Sequence, residues 1–129
     1  MSSGQRAIVA GHGEFAAGLV SAVEQITGRG DQFLPIAITG LGAEDIERVL
    51  RDQMLATGIR VVFTDLQAGS CTMAARRVLR GMPDAIVVCG TNLPLLLDFV
   101  FNDHATPEEA ARHAAERGRA AIALVGSKA

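Results

Sequence analysis

Short apolar runs alternate with segments of helical periodicity along most of this chain. The apolar runs span residues 6–10, 33–38, 59–64 and 85–89, and each leads into apolar positions that recur every three or four residues. Such patterns predict strands buried on both faces and amphipathic helices. Because parallel strands need crossover connections, strict alternation favours a mostly parallel open sheet with helices on both faces. The sequence therefore predicts a doubly wound α/β fold.

The length of the chain sets the number of domains. With 129 residues, it is long enough for one hydrophobic core, so we expect residues 1–129 to form a single domain. Residues 1–5 form a short polar segment, which we expect to be flexible and which resembles the remnant of a tag. A last helix should begin at a capping box with Thr106 at the N-cap and run to about Arg117. Residues 120–125 then predict a final strand.

Composition excludes several classes of function. Only 4% of the residues are aromatic and the net charge is −2, so the sequence does not favour nucleic-acid binding. No apolar run reaches the length of a membrane span, so we expect no membrane insertion. Cys71 and Cys89 match neither a zinc nor a redox spacing, which indicates a reducing compartment. We therefore expect a cytoplasmic protein.

Polar residues follow three of the predicted strands, at Gly11-His12-Gly13, at 65–70 and at 90–92. If the strand order is flavodoxin-like, the first and third strands are neighbours, and His12 faces Asp65 across the crevice where ligands bind. A carboxylate that accepts the proton of one imidazole nitrogen leaves the other nitrogen free as a nucleophile or base. Gly69 and Ser70 lead into a helix N-terminus, which favours an anion. This combination indicates phosphoryl transfer through a phosphohistidine.

Several of these residues also have a purely structural interpretation. Asp65 can cap a turn, and Ser70, Thr72 and Asn92 can each act as a helix N-cap. We expect the remaining two histidines, His104 and His113, to be solvated. The arginines of the third helix form a solvated face or a docking surface for an acidic partner; they are Arg76, Arg77 and Arg80.

Two other chemistries compete with phosphoryl transfer. Residues 11–16 formally match the dinucleotide fingerprint G-x-G-x-x-G/A, but the second strand ends without the acidic residue that binds a ribose, so we reject it. Cys71 lies near a predicted helix N-terminus, which lowers the pKa of a thiol. With His12 and Asp65 it could form a Cys-His-Asp hydrolase site. A buried, structural Cys71 is the interpretation that we favour.

Motifs along the whole chain resemble the IIA domains of the mannose family of the bacterial sugar phosphotransferase system, with the N-acetylgalactosamine-type branch the most similar. The motifs are Ile8-Val-Ala-Gly-His-Gly13, Val62-Phe-Thr-Asp-Leu66 with Gly69-Ser70, and Cys89-Gly-Thr-Asn-Leu93 followed by Leu95-Leu-Leu97. The resemblance implies an α/β sandwich in which the phosphocarrier protein HPr phosphorylates His12. The phosphoryl group then passes to a IIB component. It also implies a homodimer that exchanges its last strand, which could be antiparallel.

The resemblance assigns roles to individual residues. Asp65 matches the aspartate that orients the imidazole, and Ser70 matches the hydroxyl near the phosphate. We expect Gly69 and Thr72 to stabilise the phosphoryl group with Ser70.

Gly11, Gly13 and Asn92 are expected in loops that face the partner. The chain departs from the family where Ala68-Gly-Ser-Cys71 replaces the usual Gly-Gly-[Ser/Thr]-Pro, which removes a rigid start to the helix. A regulatory module on the same fold, controlled by phosphorylation of His12, is the alternative function.

Overall fold

The computed structural model of the protein describes residues 4–102 and 106–128. Within these ranges the chain forms four strands and five α-helices, which follow one another in the predicted alternation. In chain order they are β1 (Ala7–Gly11), α1 (Phe15–Thr27), β2 (Phe33–Ala37), α2 (Ala43–Thr57), β3 (Val61–Thr64), α3 (Ser70–Leu79), β4 (Ile86–Val88), α4 (Leu93–Phe101) and α5 (Pro107–Ala120), with a 3₁₀ turn at Gly30–Gln32 before β2.

All of these strands are parallel and form a single sheet in the order β2-β1-β3-β4. This is the flavodoxin-like order that the expected pairing of His12 with Asp65 requires, with β1 and β3 adjacent. Pro35 lies on β2, an edge strand that pairs with β1 alone. Proline has no N–H to donate to a sheet and is therefore confined mainly to strands of this kind. The register pairs Ala10 with Thr64, so the loops after β1 and β3 leave the sheet side by side.

The sheet separates two apolar layers. Alternate strand residues pack against α1, α4 and α5 on one face, where the rings of Phe33, Phe63 and Phe99 contact one another with centroids 5.1–6.4 Å apart. The other strand residues pack against α2 and α3. Helices therefore cover both faces, as the alternation predicted, and the carboxyl ends of the strands stay open between them.

Local sequence signals explain where several helices begin and end. Gly28 and Gly58 end α1 and α2 in the left-handed conformation, with φ of 72° and 80°. The side chain of Thr106 accepts a hydrogen bond from the N–H of Glu109 at 3.1 Å, which confirms the N-cap that the sequence predicted for α5. At the end of α4, the polar pair Asn102-Asp103 is typical of a helix end; Asn102 is the C-cap, and Asp103 lies outside the described residues.

The prediction of a last strand at residues 120–125 is wrong for the single chain. Helix α5 continues to Ala120, and residues 122–126 belong to no helix or strand. Ile122, Leu124 and Val125 are 78%, 100% and 84% exposed. A β-branched, apolar segment forms a strand only if it has a partner to pair with, and within the described chain this segment has none.

Helices α4 and α5 pack closely because a glycine faces the contact. A Cβ at Gly118 would lie 2.7 Å from Cβ of Leu95 and 2.9 Å from Oδ1 of Asn92, whereas a Cβ at Gly18, on exposed α1 surface, would meet nothing within 4 Å. Both glycines lie inside helices, so alanine has the same intrinsic helical advantage at each position.

We therefore expect opposite effects from the same substitution at these two glycines. Gly118→Ala should lower the free energy of unfolding by about 1–3 kcal/mol through overpacking. Gly18→Ala should raise it by about 0.5–1 kcal/mol through helix propensity alone. Urea denaturation of both variants measures the difference. Equal stabilisation by the two substitutions would contradict close packing between α4 and α5.

Candidate functional site

His12 lies where β1 ends and the chain turns into α1. Gly11, the last residue of β1, has no room for a side chain, because a Cβ there would lie 2.7 Å from the Phe15 ring and 2.9 Å from the carboxyl group of Asp65. Gly13 has φ of +52°, a conformation that favours glycine. The two glycines thus set the approach of Asp65 and the turn around His12.

The His12 imidazole is hydrogen-bonded to Asp65, as the strand order predicted. Nδ1 of His12 lies 2.7 Å from Oδ2 of Asp65, and the backbone N–H of His12 donates to the same oxygen at 2.8 Å. The histidine side chain is 55% exposed, while that of Asp65 is only 10% exposed. A carboxylate accepts the proton on Nδ1, which leaves the lone pair on Nε2 available at the surface of the crevice.

The environment of Asp65 favours its ionised form. Burial opposes ionisation, and Oδ1 is buried without a hydrogen-bond partner among the described residues. Asp65 accepts hydrogen bonds from the backbone and the side chain of His12 and is attracted electrostatically to the His12 ring. Together these interactions outweigh the effect of burial, so the pKa of Asp65 lies below its ordinary value. Because the pKa of Asp65 is lowered on folding, its pairing with His12 adds to the free energy of unfolding at pH values above the usual carboxyl pKa. This contribution is lost as the pH falls through the lowered pKa.

The N-terminus of α3 lies beside the His12 ring. A Cβ at Gly69 would lie 3.4 Å from Cε1 of the imidazole, and Gly69 is the N-cap residue of α3. Ser70, the first residue of the helix, is exposed. The first backbone N–H groups of a helix have no partner inside it, and Gly69 has no side chain to cap them. An anion next to the ring can therefore accept hydrogen bonds from this helix end.

Two of the predicted site residues turn out to have internal partners. Thr72 is fully buried, with its hydroxyl 2.5 Å from that of Thr64, so the expectation that Thr72 contacts a phosphoryl group is wrong. Asn92 caps α4 by accepting from the N–H of Leu95 at 3.0 Å, and it donates to the carbonyl of Gly118 at 2.9 Å. The interpretation of Asn92 as a helix N-cap is therefore confirmed, and the same side chain also joins α4 to α5.

The other histidines do not lie in this site. His113 was expected to be solvated, and its side chain is 44% exposed, which confirms this. Its Nδ1 also lies 2.7 Å from Oδ2 of Asp98, a contact between α5 and α4 that the sequence did not predict. His104 lies outside the described residues.

Cys71 cannot act as the thiolate of a hydrolase. It is fully buried, and burial together with the charge of Asp65 raises the pKa of the thiol to about 12. The sequence placed Cys71 near a helix N-terminus, which lowers a thiol pKa, but loss of hydration is the larger effect here. The Cys-His-Asp alternative is therefore rejected, and the buried structural interpretation is confirmed.

The sequence did not indicate that Thr64 belongs to this region. Thr64 ends β3, and its hydroxyl points into the layer between the sheet and α3, where it meets Thr72. The available signal was a polar residue at the end of a strand that is otherwise apolar and buried on both faces. In the described ranges, no group of three His, Cys, Asp or Glu side chains is arranged to hold a metal ion.

The fold and the site define a class of protein: a parallel α/β domain with a carboxylate-oriented histidine at the switch point of its sheet. A family described as "PTS system fructose IIA component" matches residues 6–115. The chain belongs to this family, whose members are IIA components of sugar phosphotransferase systems. The predicted family resemblance is confirmed, and the N-acetylgalactosamine branch stays a prediction.

Three solved structures of IIA proteins have folds similar to that of this chain. The mannose/sorbose-specific IIA subunit from Enterococcus faecalis has a TM-score of 0.82 at 19% identity, covering 98% of this chain and 96% of its own. The IIA component from Streptococcus agalactiae has a TM-score of 0.77 at 20% identity, with 92% and 95% covered. The IIA protein associated with the fucose utilization operon of Streptococcus pneumoniae has a TM-score of 0.71 at 25% identity, with 99% and 97% covered.

Among curated proteins, none matches this chain. Across residues 4–102 and 106–128, every helix is too short or too polar to cross a membrane.

Proposed function

We propose that this protein is a cytoplasmic phosphocarrier that accepts a phosphoryl group from phospho-HPr on His12 and passes it to a IIB component. The observation that supports this most strongly is the 2.7 Å contact between Nδ1 of His12 and Oδ2 of Asp65. It directs Nε2 outward, next to the N-terminus of α3. Family membership makes phosphotransfer the expected chemistry.

The transfer itself needs little from the protein beyond positioning and charge. The Nε2 lone pair forms a bond to phosphorus while the bond from phosphorus to the donor breaks, and the donor keeps that electron pair. The ring retains its proton on Nδ1 and becomes positively charged, and ionised Asp65 balances this charge. The free N–H groups at the start of α3 and the hydroxyl of Ser70 are positioned to stabilise the phosphoryl oxygens.

The donor and acceptor of this reaction are proteins, so the proposal includes no metal and no organic cofactor. Gly11 and Gly13 lie on both sides of His12 in the backbone. Gly11 is buried and leaves room for Asp65, whereas Gly13 is exposed, and we propose that its lack of a side chain lets a partner bring its phosphoryl group up to Nε2.

The test is phosphorylation by labelled phospho-HPr. Wild type should gain an acid-labile, base-stable phosphate, and His12→Ala should gain none. Asp65→Asn should react roughly 100-fold more slowly, because the amide neither fixes the same tautomer nor balances the charge. His113→Ala is the matched control, since His113 is also paired with a carboxylate at 2.7 Å, and it should react like wild type.

Subsequent addition of the IIB component separates the carrier from the regulatory alternative. The carrier predicts that the label leaves His12 for IIB, whereas a regulatory module keeps it. Wild type that stays unlabelled with an active donor would contradict both.

We also propose that two copies form a dimer by exchanging their C-terminal segments. Strand β4 is at the edge of the sheet, beside a groove of about 660 Å³ between β4 and α5. Ile122, Leu124 and Val125 are exposed and β-prone, so in a second copy they could pair with this edge. In such a dimer, residues 120–125 of each copy would form the predicted last strand by pairing with β4 of the other copy.

Sedimentation velocity tests the dimer. The intact protein should sediment as a dimer, and Leu124→Asp should shift it toward monomer, because a charge would have to be buried in the groove. Lys128→Asp changes charge in the same exposed tail and should leave the dimer intact. A monomeric wild type at concentrations of tens of micromolar would contradict exchange.

A further inference from the structure

Two threonine hydroxyls are buried between the sheet and α3, directly behind the loop that carries Asp65. Thr64 is the last residue of β3 and Thr72 lies in the first turn of α3, and both are fully buried. The rest of this layer is apolar, apart from the thiol of Cys71. A hydroxyl in such surroundings must be hydrogen-bonded, which makes its partners a constraint on the backbone around it.

The bonds of these hydroxyls fix the direction of donation. The hydroxyl of Thr72 donates to the carbonyl of Leu66 in a short hydrogen bond. Because a hydroxyl has one proton, the 2.5 Å contact between the two threonines is then made by Thr64 donating to Thr72. Thr64 is also 3.5 Å from the Leu66 carbonyl, at the limit of a hydrogen bond. The chain therefore runs from Thr64 to Thr72 to the Leu66 carbonyl.

The Leu66 carbonyl belongs to the loop that joins both halves of the site. The loop begins at Asp65, which is bonded to His12, and ends at Gly69, which lies against the His12 ring. Between these two points, Leu66 is the residue tied to the interior by Thr72. The carboxylate of Asp65 and the N-terminus of α3 must both lie next to the same imidazole. The hydrogen bond from Thr72 to the Leu66 carbonyl holds the loop that connects them.

We propose that Thr72 is a positioning residue for phosphoryl transfer: its buried hydroxyl holds the loop of residues 65–69 so that Asp65 and the start of α3 meet the His12 ring together. The inference rests on the proposed function and extends it to a residue that cannot touch the phosphoryl group. A small movement of a positioned group away from its productive geometry costs rate more than binding. Loss of the hydroxyl should therefore act on the maximal transfer rate, kcat, and not on KM for phospho-HPr.

The test compares four variants in transfer from phospho-HPr. Thr72→Val is nearly isosteric and removes the donor to Leu66, so kcat should fall roughly ten-fold with KM unchanged. Thr72→Ser keeps the hydroxyl and should restore kcat to within about two-fold of wild type. Thr64→Val leaves the bond from Thr72 to Leu66 in place, so it should lose less than Thr72→Val. The order of donation predicts this ranking.

Thr57→Val is the matched control. Its hydroxyl donates to the Gln53 carbonyl at 2.6 Å at the end of α2, which leads to the amino end of β3, whereas Asp65 follows the carboxyl end of that strand. It should cost stability without affecting kcat. If Thr72→Val does not fold, Thr72→Ala, which is smaller, takes its place in the comparison.

The outcomes separate this inference from the proposed function. Wild type that is not phosphorylated contradicts the proposed function itself. Wild type that is phosphorylated, with Thr72→Val matching Thr57→Val in kcat, overturns the role of Thr72 alone. A Thr72→Val variant that raises KM and leaves kcat unchanged would also overturn it, because the loop would then serve binding.

Discussion

The site depends on one carboxylate oxygen that accepts two hydrogen bonds from the same histidine. Oδ2 of Asp65 takes the backbone N–H of His12 at 2.8 Å and its ring Nδ1 at 2.7 Å. The first bond fixes where the loop after β1 passes the loop after β3, and the second fixes the ring. Asp65 is mostly buried and His12 mostly exposed, so the carboxylate lies inside while more than half of the imidazole side chain remains accessible.

The fold provides this interaction through the positions of its strands. β1 and β3 are parallel neighbours, and Ala10 pairs with Thr64, so the next residues of each strand leave the sheet at the same level. Gly11 permits the approach, since a side chain there would overlap the Asp65 carboxyl group. Helix α3 follows the same loop, which brings its N-terminus close to Cε1 of the ring. Strand order, one glycine and one short loop thus determine the geometry.

Much of this could be predicted from the sequence, because the relevant signals are local or follow from alternation. The apolar runs indicated parallel strands, and polar residues at the ends of two of them indicated the His12–Asp65 pair. Side-chain direction could not be predicted in the same way. Ser70 and Thr72 both lie in the first turn of α3, and only the packing of α3 on the sheet decides that Ser70 is exposed while Thr72 is buried.

Other features that the sequence did not indicate also have long-range causes. His113 contacts Asp98 because α5 packs on α4, and the two residues lie in different helices, 15 positions apart in the sequence. Cys71 lies at a helix start but behind the loop, so burial and not the helix end determines the pKa of its thiol. The segment after α5 has the composition of a strand, and a strand also requires an available edge, which sequence periodicity does not describe.

The most direct test of the account is the protonation state of the His12 ring nitrogens, read from their ¹⁵N chemical shifts in the unphosphorylated protein. For the neutral ring, the structure predicts the proton on Nδ1 and a bare Nε2, and it predicts that Asp65→Asn shifts the balance toward the other tautomer. A neutral ring with its proton on Nε2 in wild type would contradict the account, because the outward nitrogen would then have no lone pair to attack phosphorus.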